Sequence, residues 1–180
     1  MKTKLIQFLI IKNKCVCFAA IVCFLFSSVF QTQASVVGWG VGWETTSGTN
    51  DYGQLIIPAN LIGAKSIASG YWHGLAVTSS NTVAAWGLND FGQANVPSGL
   101  TNVTAVAAGD SHSMALRQDG SVVGWGVASS DYNSNPYLNF YFGQADVPSD
   151  VTNAIAVSAG AFHSMVLKAD GTVEAWGYDF

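Results

Sequence analysis

The sequence predicts an all-β fold made of repeated four-stranded sheets, and three observations support this prediction. A Trp-Gly pair recurs along the chain, the intervals between several other repeated residues are constant, and Asp-Gly pairs mark tight turns between short apolar runs. Self-similarity at a fixed period identifies a repeat architecture, so residues 35–180 are expected to form one array of similar units. The Trp-Gly pairs begin at Trp39, Trp86, Trp125 and Trp176.

Constant spacing divides the array into units. In each copy a Gly-Gln glycine, a proline and a histidine follow one another at fixed intervals, and the next Trp-Gly comes at a fixed distance after the histidine. All variation in length falls between Trp-Gly and the next Gly-Gln. The units run over residues 39–85, 86–124 and 125–175, with a truncated fourth from 176. The anchors are Gly53, Pro58 and His73, then Gly92, Pro97 and His112, then Gly143, Pro148 and His163.

The middle unit predicts four short strands. Asp119-Gly120 is expected to be the two-residue turn of a hairpin, and Asp170-Gly171 repeats it in the next unit. Four strands per unit with Gly and Trp at fixed places are typical of propeller blades, so we expect a partial propeller of about three blades plus flanking strands. The strands are expected over Ala94–Val96, Val103–Ala107, Ser113–Leu116 and Ser121–Gly124.

Residues 105–144 resemble the regulator-of-chromosome-condensation repeat, A-x-A-A-G-x-x-H-S-x-A-L-x-x-D-G-x-V-x-x-W-G-x-N-x-x-G-Q. They depart from this pattern at Ala128, where the family has Asn, and in the insertion that follows it. The resemblance covers nearly all of residues 35–180 and implies a propeller, which in this family has about seven blades. An arc of three blades would leave two apolar faces without neighbours. We therefore expect either a fragment of a longer propeller or self-association.

Residues 1–34 have the pattern of an export signal. A lysine-rich start precedes the apolar run Cys15–Phe26, and Thr32-Gln33-Ala34 offers small residues for cleavage after Ala34. An uncleaved membrane anchor is the alternative, although the apolar run is short for a spanning helix. The sequence therefore predicts a signal peptide over 1–34, a propeller domain over 35–180, and a secreted or cell-envelope location without stable membrane insertion after cleavage.

Composition excludes several classes of function for the exported part. All three cysteines lie in the leader, so neither disulfides nor thiolate chemistry is expected. Only Lys65, Arg117 and Lys168 remain to balance eleven acidic residues, which disfavours nucleic acid as a partner.

Three apparent sites are interpreted as structural. Asp110-Ser111-His112 could suggest a nucleophile and its base, but the histidine belongs to the repeat and the Asp-Ser pair is one version of a variable pair. The three repeated histidines are expected to lie too far apart for one metal ion and to bond backbone carbonyls. The loop at Asp131 has Pro136 where a calcium loop needs glycine. No catalytic residue, metal or cofactor is expected.

The variable pairs after each Ala-Gly or Ser-Gly are the candidate partner-binding positions. Aromatic residues mixed with acidic ones are typical of protein interfaces, and the resemblance to a secreted bacterial member of the family, the beta-lactamase-inhibitory propeller, implies the same role. We expect a secreted, non-enzymatic module that binds a protein. A carbohydrate-binding or hydrolytic module that uses the same loop face is the alternative. The candidate residues are Tyr71, Trp72, Asp110, Ser111 and Phe162.

Overall fold

The computed structural model describes residues 35–38, 52–127 and 142–178. The expected leader, the loop at Asp131 and Ala128 lie outside these ranges. Within them the chain forms strands and no helix, so none of the described residues belongs to a helix that could cross a membrane. The strands are β1 (Ser66–Ser69), β2 (His73–Val77), β3 (Val83–Gly87), β4 (Val103–Ala108), β5 (His112–Arg117), β6 (Val122–Gly126), β7 (Ala154–Ala159), β8 (His163–Lys168) and β9 (Val173–Gly177).

These strands form three similar antiparallel sheets, each made of three consecutive strands. The first sheet is β1-β2-β3, the second is β4-β5-β6, and the third is β7-β8-β9. Register is the same in each sheet, because the Trp of Trp-Gly always pairs with the residue after the histidine, as Trp125 does with Ser113. The sequence repeat is thus a repeat of sheet register.

The turns between the second and third strands lie at the predicted Asp-Gly pairs, but each has three residues where two were predicted. The amide of Arg117 donates to the carbonyl of Ser121 at 2.9 Å, which leaves residues 118–120 as the loop, and the amide of Lys168 bonds Thr172 in the same way. Gly120 and Gly171 have φ angles of 81° and 86°, a region that glycine enters without steric cost. One carboxylate oxygen of Asp119 accepts bonds from the backbone amide and the hydroxyl of Ser121, at 2.9 and 2.6 Å. These hydrogen bonds lower the pKa of Asp119. The turn is therefore fixed by its own side chains.

The predicted first strand of each unit, Ala94–Val96 in the middle copy, is absent from the sheets. This segment turns at Gly92, where the amide of Asn95 bonds the Gly92 carbonyl at 2.9 Å, and Pro97 has no amide to donate. Each sheet accordingly has three strands where four were predicted. The segment packs beside the sheet that follows it, held by side-chain hydrogen bonds described below.

The core lies between sheets rather than within one. One apolar cluster joins the first sheet to the second and a smaller one joins the second to the third. Val77 from β2 and Val106 from β4 belong to the first cluster, and Leu116 from β5 and Val166 from β8 belong to the second. Trp125 and Trp176 pack at these junctions, so the tryptophans of these two Trp-Gly pairs help to join neighbouring sheets. Burial of these faces is the main source of stability.

Candidate functional site

The loops between the first and second strands of the three sheets lie side by side at one end of the array. Each loop is a Gly-x-x-His segment, and the backbone joins neighbouring loops directly. The amide of Tyr71 donates to the carbonyl of Gly109 at 3.3 Å, and the amide of Asp110 donates to the carbonyl of Ala161 at 3.2 Å. The structure therefore brings the five candidate residues to the same end of adjacent sheets. The five are Tyr71, Trp72, Asp110, Ser111 and Phe162.

An aromatic cluster covers the first of these loops. The ring of Trp72 lies between those of Tyr71 and Tyr52, with centroid distances of 4.7 and 5.6 Å and edge-to-face geometry. Tyr71 is 52% exposed and Tyr52 is 41% exposed, whereas Trp72 is half-buried. Trp72 thus supports the exposed tyrosines, and Tyr71 presents the largest accessible ring.

A second aromatic cluster supports the third loop. Phe162 packs edge-to-face against Phe142 at 5.8 Å and lies 6.4 Å from Tyr178, and Phe142 and Tyr178 are 4.1 Å apart. Phe162 is half-buried, and its backbone carbonyl accepts a bond from the amide of Tyr178 at 2.9 Å. Sequence reasoning did not select Phe142 or Tyr178 as site residues. The sequence does contain a signal for Phe142, because an aromatic residue precedes each Gly-Gln pair.

The middle loop differs from its neighbours in charge. Asp110 is half-buried, and this burial raises the pKa of its carboxyl group. Ser111 is also half-buried, and its carbonyl accepts a bond from the amide of Val127 at 2.9 Å. Asp110 is the only carboxylate among these three loops, so an acidic position lies between two aromatic ones.

The glycine of each loop makes room for the histidine three residues later. A Cβ on Gly109 would overlap the imidazole of His112 and would lie 2.6 Å from the carbonyl oxygen of Gly160. The corresponding glycines, Gly70 and Gly160, lie against their own histidines in the same way. The Gly-x-x-His spacing is therefore a packing requirement.

Two of the repeated histidines bond a serine of the next sheet. The Nε2 atom of His73 lies 3.0 Å from the Oγ of Ser113, and the Nε2 of His112 lies 2.9 Å from the Oγ of Ser164. The expectation that each histidine bonds a backbone carbonyl is wrong for these two, because a serine hydroxyl lies between the imidazole and the carbonyl. Ser113 itself donates to the carbonyl of Gln93 at 2.8 Å, and that carbonyl also accepts a bond from the indole of Trp125 at 2.9 Å.

The serine bonds determine the tautomer of the histidines. A hydroxyl has one hydrogen, and Ser113 uses it on the Gln93 carbonyl, so its oxygen must accept from the Nε2–H of His73. The Nδ1 atoms of His73 and His112 have no hydrogen-bond partner. Burial lowers the pKa of both imidazoles to about 4, so both rings are neutral at neutral pH.

The Gly-Gln pairs position the carbonyls that receive these bonds. In the middle copy the side-chain oxygen of Gln93 accepts the amide of Phe91 at 2.9 Å, which holds the segment in a tight turn. The carbonyl of Gln54 accepts the indole of Trp86 at 2.9 Å, and that of Gln144 accepts the indole of Trp176 at 3.1 Å. The Trp-Gly, Gly-Gln and His-Ser anchors are thus parts of one polar contact between sheets.

This arrangement does not form a nucleophile open to substrate. Ser113 and Ser164 are fully buried with their hydroxyl hydrogens committed to carbonyls. Ser111 lies between Asp110 and His112 in the sequence, but the imidazole of His112 lies in the contact with the third sheet. Among the described residues no group of three or more His, Cys, Asp or Glu side chains could hold a metal ion.

Comparison with known proteins identifies the repeat. The family model of the regulator of chromosome condensation (RCC1) repeat matches residues 64–93, 103–134 and 154–180. A search of curated protein sequences found no relative.

Solved structures of the same architecture match as well. Prp20p from Saccharomyces cerevisiae is 28% identical with a TM-score of 0.52, over 73% of this chain and 40% of that one. Human WBSCR16 is 26% identical with a TM-score of 0.52, over 73% and 41%. Yeast RCC1 (Prp20) bound to Kap60 is 27% identical with a TM-score of 0.51, over 73% and 38%. The chain thus spans less than half the length of these structures, and its three sheets are blades of an all-β propeller.

Proposed function

The chain belongs to the regulator of chromosome condensation repeat family, and from that premise we propose that it binds another protein through its Gly-x-x-His loops. Repeats of this family generally serve as protein-interaction modules. The yeast relative Prp20p binds Gsp1p and histones, and its complex with Kap60 has been solved. These are partners of that protein, and they support the class of function rather than the identity of the partner.

The continuity of the three loops is the observation on which the proposal rests. Backbone bonds from Tyr71 to Gly109 and from Asp110 to Ala161 join the loops into one surface. The glycine and histidine of each loop are tied into the contacts between sheets, while the two residues between them differ in every copy. A constant scaffold with variable side chains at one end is suited to selecting a partner.

The chemistry of this surface indicates which kind of partner it would bind. Tyr71 offers a large exposed ring on a rigid aromatic support, the type of residue that anchors protein interfaces. Asp110 has a partly desolvated carboxylate, which a cationic or hydrogen-bond-donating group of the partner would stabilise. The whole chain has eleven acidic and seven basic residues. We therefore expect a partner that brings an apolar contact and a Lys or Arg to this surface.

Photo-crosslinking from two ends of the sheets tests the proposal. A photoreactive amino acid at Tyr71 should crosslink to a distinct protein from the organism's extracellular material. The matched position is Gln118, which is also exposed but lies in the turn at the opposite end of the second sheet. A crosslink of equal strength from Gln118, or none from Tyr71, would contradict the proposal.

A carbohydrate-binding or hydrolytic module using the same loops is the competing hypothesis. Tyr71 could stack on a sugar ring, but the three loops hold only one carboxylate, and a glycoside hydrolase usually needs two. Binding of glycan probes that is lost in Tyr71→Ala and retained in Gln118→Ala would favour this hypothesis over a protein partner.

We also infer that the protein acts outside the cytoplasm after removal of residues 1–34. The support is the lysine-rich start, the apolar run and the Thr-Gln-Ala sequence before Ser35. Mass spectrometry of the exported protein should give a chain that begins at Ser35. Recovery of the intact chain from the membrane fraction would show that the segment remains as an anchor.

A further inference from the structure

The three units differ in charge at the end of the sheets opposite the Gly-x-x-His loops. Arg117 ends β5 and Lys168 ends β8 at the same position of the repeat, and Thr78, which follows β2, takes this position in the first unit. The constant spacing of the anchors makes the residues around these three positions directly comparable.

The cation of the third unit has carboxylates around it. Lys168 forms an ion pair with Glu174 through its Nζ atom. The hydrogen bond to Glu174 raises the pKa of Lys168, and the charges of Asp150 and Asp170 act in the same direction. The third unit therefore supplies its own counter-charges.

The cation of the second unit lacks two of these three carboxylates. Val123 stands at the position of Glu174, and Gly99 stands at the position of Asp150. None of the described residues accepts a hydrogen bond from the guanidinium of Arg117 or forms an ion pair with it, and its Nε atom is buried without a partner.

The remaining carboxylate neutralises only part of this charge. Asp119 matches Asp170 of the third unit, and its Oδ1 atom already accepts two hydrogen bonds from Ser121 in the exposed turn. The first unit carries neither the cation nor the carboxylates, so the repeat does not need a charge here. Its residues at the four positions are Asn60, Thr78, Ser80 and Ala84.

An open hollow lies beside Arg117, on the side where the third unit has Asp150. Its volume is about 490 Å³, a size typical of small-molecule sites. A Cβ added to Gly99 would have no atom within 4 Å, so this side of the hollow is free of side chains. The other lining residues are polar, and they are Thr101, Asn102, Gln118 and Asp119.

We propose that this hollow binds a small organic acid that also carries hydroxyl groups, such as a sugar acid, with Arg117 as its carboxylate-binding residue. The planar guanidinium presents paired donors that match a carboxylate. The carboxylate would lie on the Gly99 side, away from Asp119. The hydroxyl of Thr101 and the amide groups of Asn102 and Gln118 offer hydrogen bonds to the rest of the ligand.

The backbone holds the two edges of this hollow together. The amide of Gln118 donates to the carbonyl of Asn102 at 2.8 Å, and the amide of Val103 donates to the carbonyl of Asn81 in the first unit at 2.9 Å. The site is therefore built on the junction between the first two sheets, at the end away from the aromatic clusters, and it does not depend on the protein partner proposed above.

Nuclear magnetic resonance of Arg117 tests the proposal directly. Arg117 is the only arginine in the sequence, so labelling with ¹⁵N-arginine gives a single side-chain Nε–H signal. Glucuronate should shift this signal in a saturable way, whereas glucose, which has the same ring without the carboxylate, should leave it unchanged. Sulfate should bind at least several-fold more weakly than glucuronate, because it lacks the planar shape and the hydroxyl groups.

Two pairs of variants separate the site from general charge attraction. Arg117→Gln should weaken glucuronate binding in calorimetry about tenfold or more, because hydrogen bonds to charged groups contribute at least this much, while Lys168→Gln removes the same charge and should change it little. Gly99→Asp supplies a carboxylate within the chain and should also weaken binding about tenfold. Gly99→Asn has nearly the same shape without the charge and should bind within a few-fold of the unaltered chain.

Four results would overturn the proposal. They are the absence of a saturable shift with glucuronate, an equal shift with glucose, equal or tighter binding of sulfate, and equal losses in either pair of variants. The Gly99 pair keeps the test decisive if the Arg117 variant fails to fold. None of these measurements uses a protein partner, so their outcome is independent of the function proposed for the loops.

Discussion

Removing the hydroxyl of Ser113 should weaken the contact between the first and second sheets. Ser113 is fully buried and links His73 to the Gln93 carbonyl. In Ser113→Ala the Nε2–H of His73 stays buried without an acceptor, and the Gln93 carbonyl keeps only its bond from Trp125. An unpaired buried donor costs about 1–3 kcal/mol, and loss of the second bond adds about 1 kcal/mol. We expect the free energy of unfolding to fall by about 3 kcal/mol.

Urea denaturation followed by tryptophan fluorescence measures this loss. Ser121→Ala is the matched control, since it removes a hydroxyl bonded to Asp119 in an exposed turn, and it should change stability by less than about 1 kcal/mol. Ser164→Ala, which breaks the equivalent bond to His112, should resemble Ser113→Ala. If Ser113→Ala were no more destabilising than Ser121→Ala, the assignment of the His-Ser bonds as stabilising contacts would be refuted.

Three further predictions concern pH, packing and the exposed rings. In the unfolded chain His73 and His112 bind protons below pH 6.5, but in the folded chain they do so only below about pH 4. The free energy of unfolding should therefore fall as the pH drops through this window, by about 3 kcal/mol per histidine. Urea midpoints that rise on acidification would contradict this prediction. Gly109→Ala should lower the free energy of unfolding by about 3 kcal/mol, because the added Cβ overlaps His112. Gly99 has a φ of 76° and no atom within 4 Å of an added Cβ, so Gly99→Ala should lower it by about 1 kcal/mol; thermal or urea unfolding measures both losses. Tyr71→Ala should lower stability by less than about 1 kcal/mol and Phe162→Ala by about 3 kcal/mol; equal losses would mean that Tyr71 is a packing residue.

The repeat made most of the fold predictable from the sequence. Constant intervals between Gly-Gln, Pro, His and Trp-Gly place each anchor at the same register, and the Asp-Gly turns identify the hairpins. The strand expected over Ala94–Val96 could not be excluded in this way. The short run before Pro97 has the local sequence of a strand. Its backbone does not pair with the sheet because the Gln93 carbonyl accepts side-chain hydrogen bonds from Ser113 and Trp125 of the following sheet, and the sequence does not show these bonds.

The shared location of the candidate loops could be predicted from the sequence, the packing of their side chains could not, and their role in binding stays a prediction. The variable pairs identify the loops, and the structure places all of them at one end. Which side chain of each pair faces solvent depends on neighbouring aromatic residues distant in sequence, as Tyr52 is from Trp72. The His-Ser bonds between sheets could not be read from the sequence, because adjacent His and Ser residues do not bond each other and their partners lie in neighbouring repeats.

The affinity of variants for the protein that crosslinks to Tyr71 tests the proposed function most directly. Titration calorimetry should show that Tyr71→Ala and Asp110→Asn each weaken binding by about tenfold or more, since anchors and charged contacts at interfaces contribute at least this much. Gln118→Ala, at the opposite end of the second sheet, should bind like the unaltered protein. Unchanged affinity in both loop variants, or an equal loss in Gln118→Ala, would contradict binding through the Gly-x-x-His loops.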